Sequence, residues 1–133
     1  MVLSAHNLTK QVSSPEGQLT ILDDVSFDVV QGETIAVVGV SGAGKSTLLG
    51  LLAGLDVPSS GYVRLEDHDL SRLDEDGRAA LRADHVGFVF QSFELLPQLS
   101  LLENVVLTMD LTGHYYGRTS LEKAEGLLRQ VGL

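Results

Sequence analysis

A run of nine residues, Gly39-Val40-Ser41-Gly42-Ala43-Gly44-Lys45-Ser46-Thr47, satisfies the pattern G-x-x-x-x-G-K-[ST] without a mismatch and constrains the fold more than any other segment. Each fixed position has a physical task. The glycines let the backbone curl so that successive N–H groups point inward, forming a concave nest for anionic oxygens. Lys45 brings a mobile positive charge to the β- and γ-phosphates of a nucleotide, and the Ser46 hydroxyl is a ligand for Mg²⁺. Such a loop works between a strand and a helix, where the helix N-terminus is aimed at the phosphate. A glycine-rich turn that binds nothing would leave Lys45-Ser46 at a helix start unexplained.

Both flanks fit. Upstream, Thr34-Ile35-Ala36-Val37-Val38 is a mostly β-branched apolar run, the pattern of a strand buried on both faces. Downstream, Lys45 to Leu55 is rich in leucine and predicts a buried helix closing near Gly54, with Pro58 beyond it. Before the loop, Val2 to Leu8 and Gln18 to Val30 read as strands around a polar turn at Ser13–Gly17. Tyr62–Leu65 reads as a further short strand and Val86–Phe90 as a second buried one, ending at Gln91. Three capping boxes are spelled out. Ser71/Asp74 would open a helix with Leu73, Ala80 and Leu81 on its apolar side; Ser100/Glu103 and Thr119/Glu122 would open two more. The last of these helices would turn Leu121, Ala124, Leu128 and Val131 inward.

At 133 residues the chain holds one domain with a real core. It has no cysteine, so disulfides and thiolate metal sites are excluded, which fits a reducing compartment. A net charge of −9 argues against a nucleic-acid surface, which needs clustered Lys and Arg. Acidity does not oppose nucleotide binding, because a nest, a helix N-terminus, Lys45 and Mg²⁺ act locally. The start Met1–His6 lacks the pattern of a signal peptide, and the longest apolar stretch is far below a membrane span; the reading is a soluble, cytoplasmic chain.

Farther on, Val86-Gly87-Phe88-Val89-Phe90-Gln91-Ser92-Phe93-Glu94-Leu95-Leu96-Pro97, with Ser100-Leu101-Leu102-Glu103-Asn104-Val105, resembles the Q-loop region of ABC-transporter ATP-binding subunits. The spelling is similar to the lipoprotein-release, macrolide-export and YbbA-like subgroup, and the resemblance runs from Leu8 to Leu133. It implies an α/β P-loop NTPase fold of the ABC type. A β-rich opening region (1–33) would precede a phosphate-loop core with a mainly parallel sheet through the Q-loop (34–97) and the start of a helical subdomain (98–133). It also implies that ATP and Mg²⁺ are the cofactors. Gly39, Ser41, Gly42, Ala43, Gly44, Lys45, Ser46 and Thr47 would hold the nucleotide. Within this set Lys45 would bridge the β- and γ-phosphates, Thr47 would reach the α-phosphate, and Ser46 would bind the metal. Gln91 would contact Mg²⁺ or the attacking water. On its own, Gln91 is equally a polar residue ending a strand. The expected partners are a second ATP-binding subunit, as a homodimer, and a membrane permease that touches Phe93 to Pro97. Those apolar residues read equally well as core. The implied place is peripheral, on the inner face of the cell membrane.

Two departures stand out. Where the family usually stacks an aromatic on adenine, this chain has Val12, an apolar contact without a π-face; YbbA-like members share the change. The family pattern would also continue past Leu133 into a Leu-Ser-Gly-Gly-Gln signature, an acidic strand and a switch histidine, none of which occurs in these residues. The expectation is therefore an incomplete ATP-binding domain without turnover of its own. A split half or a degenerate nucleotide-binding module is the alternative. Asp110 only weakly mimics the acidic strand, since it follows a capping box and no glutamate succeeds it. Other patterns fail: Asp67-His68-Asp69 begins like a calcium loop, but arginines fill the glycine and glutamate positions. Asp74-Glu75-Asp76-Gly77 lacks a guanine-reading partner motif, and His6, His68, His85 and His114 have no metal-ligand spacing.

Overall fold

Two strand-like runs around the polar turn at Ser13–Gly17 predict a hairpin, and a long one forms. In the computed structural model, which describes residues 1–92, 95–112 and 117–133, the chain divides into two units, Met1–Gly87 and Phe88–Leu133. In the first, β1 (Leu3–Ser14) and β2 (Gly17–Val29) pair antiparallel around Pro15-Glu16, with Leu3 opposite Val29 and Ser14 opposite Gly17. The other edge of β1 pairs with β3 (Ser60–Leu65), and β3 with the short β4 (His68–Asp69). The order is β2-β1-β3-β4, antiparallel throughout. As an inner strand β1 contributes the fully buried Ala5 and Leu8. They form one core with Leu22, Val63, Leu65, Leu70 and the Leu48 and Leu51 side chains of α1 (Lys45–Leu52). Truncating Leu8 or Leu51 to alanine would each cost about 2–5 kcal/mol, since such sites refill poorly.

Regular pairing breaks in the middle of β1. Its register with β2 shifts between Ala5 and Gln11, and its register with β3 shifts between His6 and Thr9. Asn7 and Asp24 take left-handed φ of 49° and 52°, which short polar side chains tolerate. Side chains replace the lost ladder bonds. The Asn7 N–H donates to Ser26 Oγ at 2.8 Å, the Asn7 amide donates to Asp24 Oδ1 at 2.7 Å, and the Asp24 N–H donates to Thr9 Oγ1 at 3.1 Å. Gly61 of β3, at φ 82°, sits directly on this bulge, where a methyl group would overlap the carbonyl oxygens of His6 and Asn7.

α1 ends as its sequence predicts. Gly54 takes a left-handed φ of 75°, its N–H reaches Leu51 O at 3.2 Å, and the Leu55 N–H reaches Gly50 O at 2.9 Å. This pair of bonds is a Schellman motif. The next helix differs from expectation. Asp69 accepts the Ser71 N–H at 2.9 Å, so Leu70–Arg72 is a single 3₁₀ turn and Leu73 is extended. α2 (Glu75–His85) starts after Asp74, which accepts the Gly77 N–H at 2.7 Å. The Ser71/Asp74 box is therefore not formed, because an N-cap must be non-helical and Asp74 fills that place itself. Leu73 and Leu81 still pack on the core, whereas Ala80 is exposed.

The two segments read as buried strands join no ladder among the described residues. Val38 is 87% exposed and Val89 96%. A strand buried on both faces requires a hydrogen-bonded neighbour and covering layers, and β-branched composition supplies neither. The α/β class stands, with a sheet and helices.

In the second unit α3 (Leu101–Thr112) opens on a reciprocal cap: the Ser100 N–H donates to Glu103 Oε1 at 3.0 Å and the Glu103 N–H to Ser100 Oγ at 3.1 Å. α4 (Arg118–Gln130) follows Gly117 and has no side-chain cap, so the Thr119/Glu122 box is not formed. Both residues already lie inside the helix, where their side chains cannot serve as an N-cap. The inward face of α4 carries small residues. Ser120 and Ala124 are fully buried, and Ser120 Oγ donates to Asp110 Oδ1 at 2.9 Å. Leu128 is half-buried as expected, but Leu121 is exposed and Val131 is 71% exposed, because the buried stripe is centred on the Ser120–Ala124 side.

Three outcomes follow from these contacts. Gly61→Ala should destabilise the first unit by roughly 3 kcal/mol or more, read as a lowered denaturation midpoint, since left-handed strain and overlap add. Ser100→Ala should cost about 1 kcal/mol of helix stability. The Glu103 carboxyl, held below its ordinary pKa by the Ser100 N–H and hydroxyl, stabilises α3 fully above the unfolded value. That contribution should fade as pH falls through the lowered value, seen as acid loss of helical circular dichroism that Glu103→Gln removes.

Candidate functional site

The phosphate loop leads into α1 through two left-handed glycines, Gly42 at φ 84° and Gly44 at φ 93°. Between them the Ala43 N–H turns back to Val40 O at 3.1 Å. Gly44 is the N-cap of α1, and no side chain caps the helix or places an acidic group in its first turn. The first-turn N–H groups of a helix have no intrahelical acceptor, and they carry the positive end of its dipole. Here no carboxylate of the first turn neutralises that end. Lys45 folds back over the loop, its ammonium donating to Gly39 O and, at 3.4 Å, to Val40 O. Three elements of positive potential thus converge: curled backbone amides, a helix terminus and an ammonium.

Access matches the chemistry. Gly39, Ser41, Gly42, Ala43 and Ser46 are exposed, and Gly44, Lys45 and Thr47 are half-buried. The residues expected to grip phosphates are therefore adjacent and open to solvent. Gly44 is also a packing position. A Cβ there would lie 3.0 Å from Ile21 O and 3.1 Å from Leu22 Cδ2, so the loop rests directly on β2. Val12, half-buried on β1, pairs with Leu19 of β2. Leu19 lies three residues before Leu22, about 10 Å along a strand.

A link that the motifs do not announce joins these ends. Lys10 Nζ lies 3.0 Å from Asp56 Oδ2 and donates to Val57 O at 2.8 Å. Burial pushes the Asp56 carboxyl up, but the Lys10 and Val57 hydrogen bonds and the Lys10 and Arg78 charges outweigh it, leaving the pKa below the ordinary value. In sequence, Lys10 was only part of a resemblance. An isolated Lys and Asp so far apart in the chain carry no local pattern that would pair them.

Gln91 is exposed and belongs to the second unit. Phe93 lies outside the described residues. Leu95, Leu96 and Pro97 are exposed rather than core, and the two leucines line a groove of about 650 Å³ with Val105, Leu107, Met109 and Leu127. Asn104 shapes that groove, accepting the Leu96 N–H at 2.8 Å and donating to Leu96 O, Leu99 O and Ser100 O. This clamp was unread in the sequence, where Asn104 carried only the resemblance. Asp110, bonded by Ser120, sits in a helix. Among the described residues no group of three or more His, Cys, Asp or Glu is arranged to hold a metal. His6 stacks on Tyr62 with ring centroids 4.9 Å apart, and His85 faces Glu66 at 3.6 Å; His114 lies outside the described residues.

Known proteins resemble this chain over nearly its whole length. The ABC transporter family model matches residues 22–133. The uncharacterized ABC transporter ATP-binding protein YbbA of Escherichia coli (strain K12) is 52% identical over 132 residues, covering 99% of this chain and 58% of that protein. The lipoprotein-releasing system ATP-binding protein LolD of Coxiella burnetii is 40% identical over 132 residues, covering 99% of this chain and 57% of that protein. Among solved structures, the dimeric ATP-binding cassette MJ0796 bound to ADP and Pi matches with a TM-score of 0.91 at 34% identity, over 98% of this chain and 57% of that one. The chain thus spans 57–58% of the length of these relatives.

Gly44→Ala should be doubly unfavourable, through left-handed strain and the approach of Ile21 O, costing about 2–4 kcal/mol in thermal or denaturant unfolding. Gly42→Ala, which meets nothing within 4 Å, should cost only the strain, about 1–2 kcal/mol.

Proposed function

The chain belongs to the ABC transporter family, and on that premise we propose that it is the phosphate-gripping part of an ATP-binding subunit that couples ATP binding and hydrolysis to export or extraction through a membrane permease. The observation that carries the reading is the uncapped N-terminus of α1, opened by left-handed Gly44 and overlaid by the Lys45 ammonium. This arrangement suits a polyphosphate, and the Lys45 ammonium over the loop is not needed to pack the core. ADP and Pi are the groups named with the MJ0796 cassette.

The residues divide the work by their chemistry. Amides from Gly42 to Thr47, in the loop framed by Gly39, Ser41 and Ala43, hold the β-phosphate. Lys45 leaves Gly39 O and Val40 O to bridge the β- and γ-phosphates, and Thr47 meets the α-phosphate. The Ser46 hydroxyl, exposed on the first turn, is a hard oxygen donor suited to Mg²⁺. Mg²⁺ would draw charge from the transferred phosphoryl group. Val12 gives the base an apolar contact, and Gln91 orients the metal or the attacking water. The whole protein would convert ATP and water to ADP and phosphate.

The regions 1–33, 34–97 and 98–133 are read as the β-rich opening region, the phosphate-loop core and the start of the helical subdomain. The permease would engage the segment from Phe93 to Pro97, of which Leu95, Leu96 and Pro97 are exposed, and a second ATP-binding subunit would complete the site. MJ0796 is dimeric and LolD belongs to a lipoprotein-releasing system, which support these partners. No helix among the described residues is long and apolar enough to cross a membrane, which suits a peripheral place on its inner face. Nucleic acid is not a partner in this reading.

A split half or a non-hydrolysing nucleotide module is the second reading, favoured by exposed Ile35 and Val38 before the phosphate loop and exposed Val40 within it. A gain in melting temperature or ATPase on mixing with a polypeptide that bears the signature would support it; no gain would count against it.

Equilibrium binding tests the main reading. Mg-ATP should bind the wild-type chain, and Lys45→Ala should weaken it at least about tenfold through loss of a charge-assisted contact. Unchanged affinity in that variant would overturn the assignment.

A further inference from the structure

Regular pairing of β1 with β2 fails on the residues that precede Val12. Opposite partners jump from Leu8/Val25 to Lys10/Leu22 and then Gln11/Thr20, while pairing with β3 ends at Thr9/Ser60. The loop leaving α1 holds this stretch instead. The Ser59 N–H donates to Thr9 O at 2.8 Å. The Ser59 hydroxyl accepts the Gln11 N–H at 2.9 Å and donates to Gln11 O at 3.3 Å, so one hydroxyl serves both backbone groups of Gln11. One residue earlier, Lys10 closes on Asp56 and Val57 O with its side chain only 16% exposed.

Asp56 directly follows Leu55, the last residue of the Schellman turn that ends α1. The N-terminus of that helix carries the phosphate loop, about 12 Å away along its axis. Gly54 O, within the same turn, is held by Arg82 of α2. α1 thus meets the hairpin twice: at its start through Gly44 on Ile21 and Leu22, and beyond its far end through Asp56 on Lys10. Val12 is two residues beyond that second attachment.

We propose that Lys10 and Asp56 are positioning residues that set the base-contacting stretch of β1 at Val12 against the phosphate loop, and so govern recognition of the nucleoside end of the ligand rather than its phosphate chain. This rests on the nucleotide-binding reading above. Neither residue is itself a ligand, since the Lys10 ammonium is committed to Asp56 and Val57 O, and Asp56 Oδ1 accepts the Val57 N–H. A ligand gripped at two ends gains from both grips only if their separation is set in advance. Loosening the attachment releases β1 at residues 9–12, while Gly44 keeps the phosphate loop on β2.

Binding of ATP and of inorganic triphosphate to the full chain, each with Mg²⁺, separates these roles. Lys10→Met and Asp56→Asn should weaken ATP about three- to tenfold and leave triphosphate within about twofold, the scale of one partly exposed charged contact. Ser59→Ala, which spares the charged pair, should shift the same ratio in the same direction and guards against a variant that fails to fold. Exchanging the pair, as Lys10→Asp with Asp56→Lys, should restore part of the ATP preference. Equal weakening of both ligands with a lowered melting temperature would make the pair a stabilising contact only and overturn the proposal. Unchanged ATP affinity in Lys10→Met and Asp56→Asn would overturn it as well. A wild-type chain that binds triphosphate as tightly as ATP would overturn it and leave the phosphate loop intact. A wild-type chain that binds neither would overturn the nucleotide reading and this proposal with it.

Discussion

Much of the first unit depends on the contact of Gly44 with the backbone of β2. The residue before α1 has no side chain, so the helix N-terminus can rest on Ile21 O and Leu22 instead of standing off the sheet. That contact, with the left-handed turn at Gly44, sets the direction in which α1 leaves. It brings Leu48 and Leu51 into the cluster built by Ala5, Leu8 and Val63. A substitution at Gly44 would therefore disturb the core and the glycine-rich loop together, because one backbone position serves both. Hydrophobic burial supplies the bulk of the driving force. The glycine decides where it is directed.

The same geometry gives a chain of net charge −9 a locally positive helix end. Its acids do not enter the first turn of α1, whereas α2 has Glu75 and Asp76 in its first turn and Asp74 as its cap. One helix N-terminus is neutralised and capped; the other is left bare and given a lysine. Two arginines, Arg78 and Arg82, hold the neutralised helix through Leu73 O and Gly54 O, with Glu75 beside both. Local placement of charge outweighs the net balance because dipole and ammonium act over a few ångströms, while distant carboxylates are screened.

Local chemistry was legible. The Schellman turn at Gly54 and the reciprocal cap of Ser100 and Glu103 are written in residues a few positions apart, and both form as read. Two other boxes, Ser71/Asp74 and Thr119/Glu122, fit the same pattern and do not form. In the first, Asp69 takes the Ser71 N–H and Asp74 becomes the cap; in the second, the helix has already begun at Arg118. A capping pattern specifies a possible partner, not which competing partner wins. Leu121 and Val131 show a similar limit. Their spacing suits an apolar face, but the fully buried residues of α4 are the small Ser120 and Ala124, and Ser120 bonds Asp110 of α3.

Sequence by itself determined the phosphate loop, the helix it opens, the hairpin before it and the family to which the chain belongs, because these rest on backbone conformations and spacings within a few residues. Tertiary structure alone decided that Thr34–Val38 and Val86–Phe90 stay outside the sheet ladder among the described residues, that Leu95–Pro97 face solvent, and that Lys10 finds Asp56. Each of these outcomes depends on which distant groups arrive as neighbours. A strand needs a partner to accept its hydrogen bonds, and a charge needs a counter-charge held within a few ångströms. Chain composition supplies the candidates for such pairs, and only the folded path selects among them.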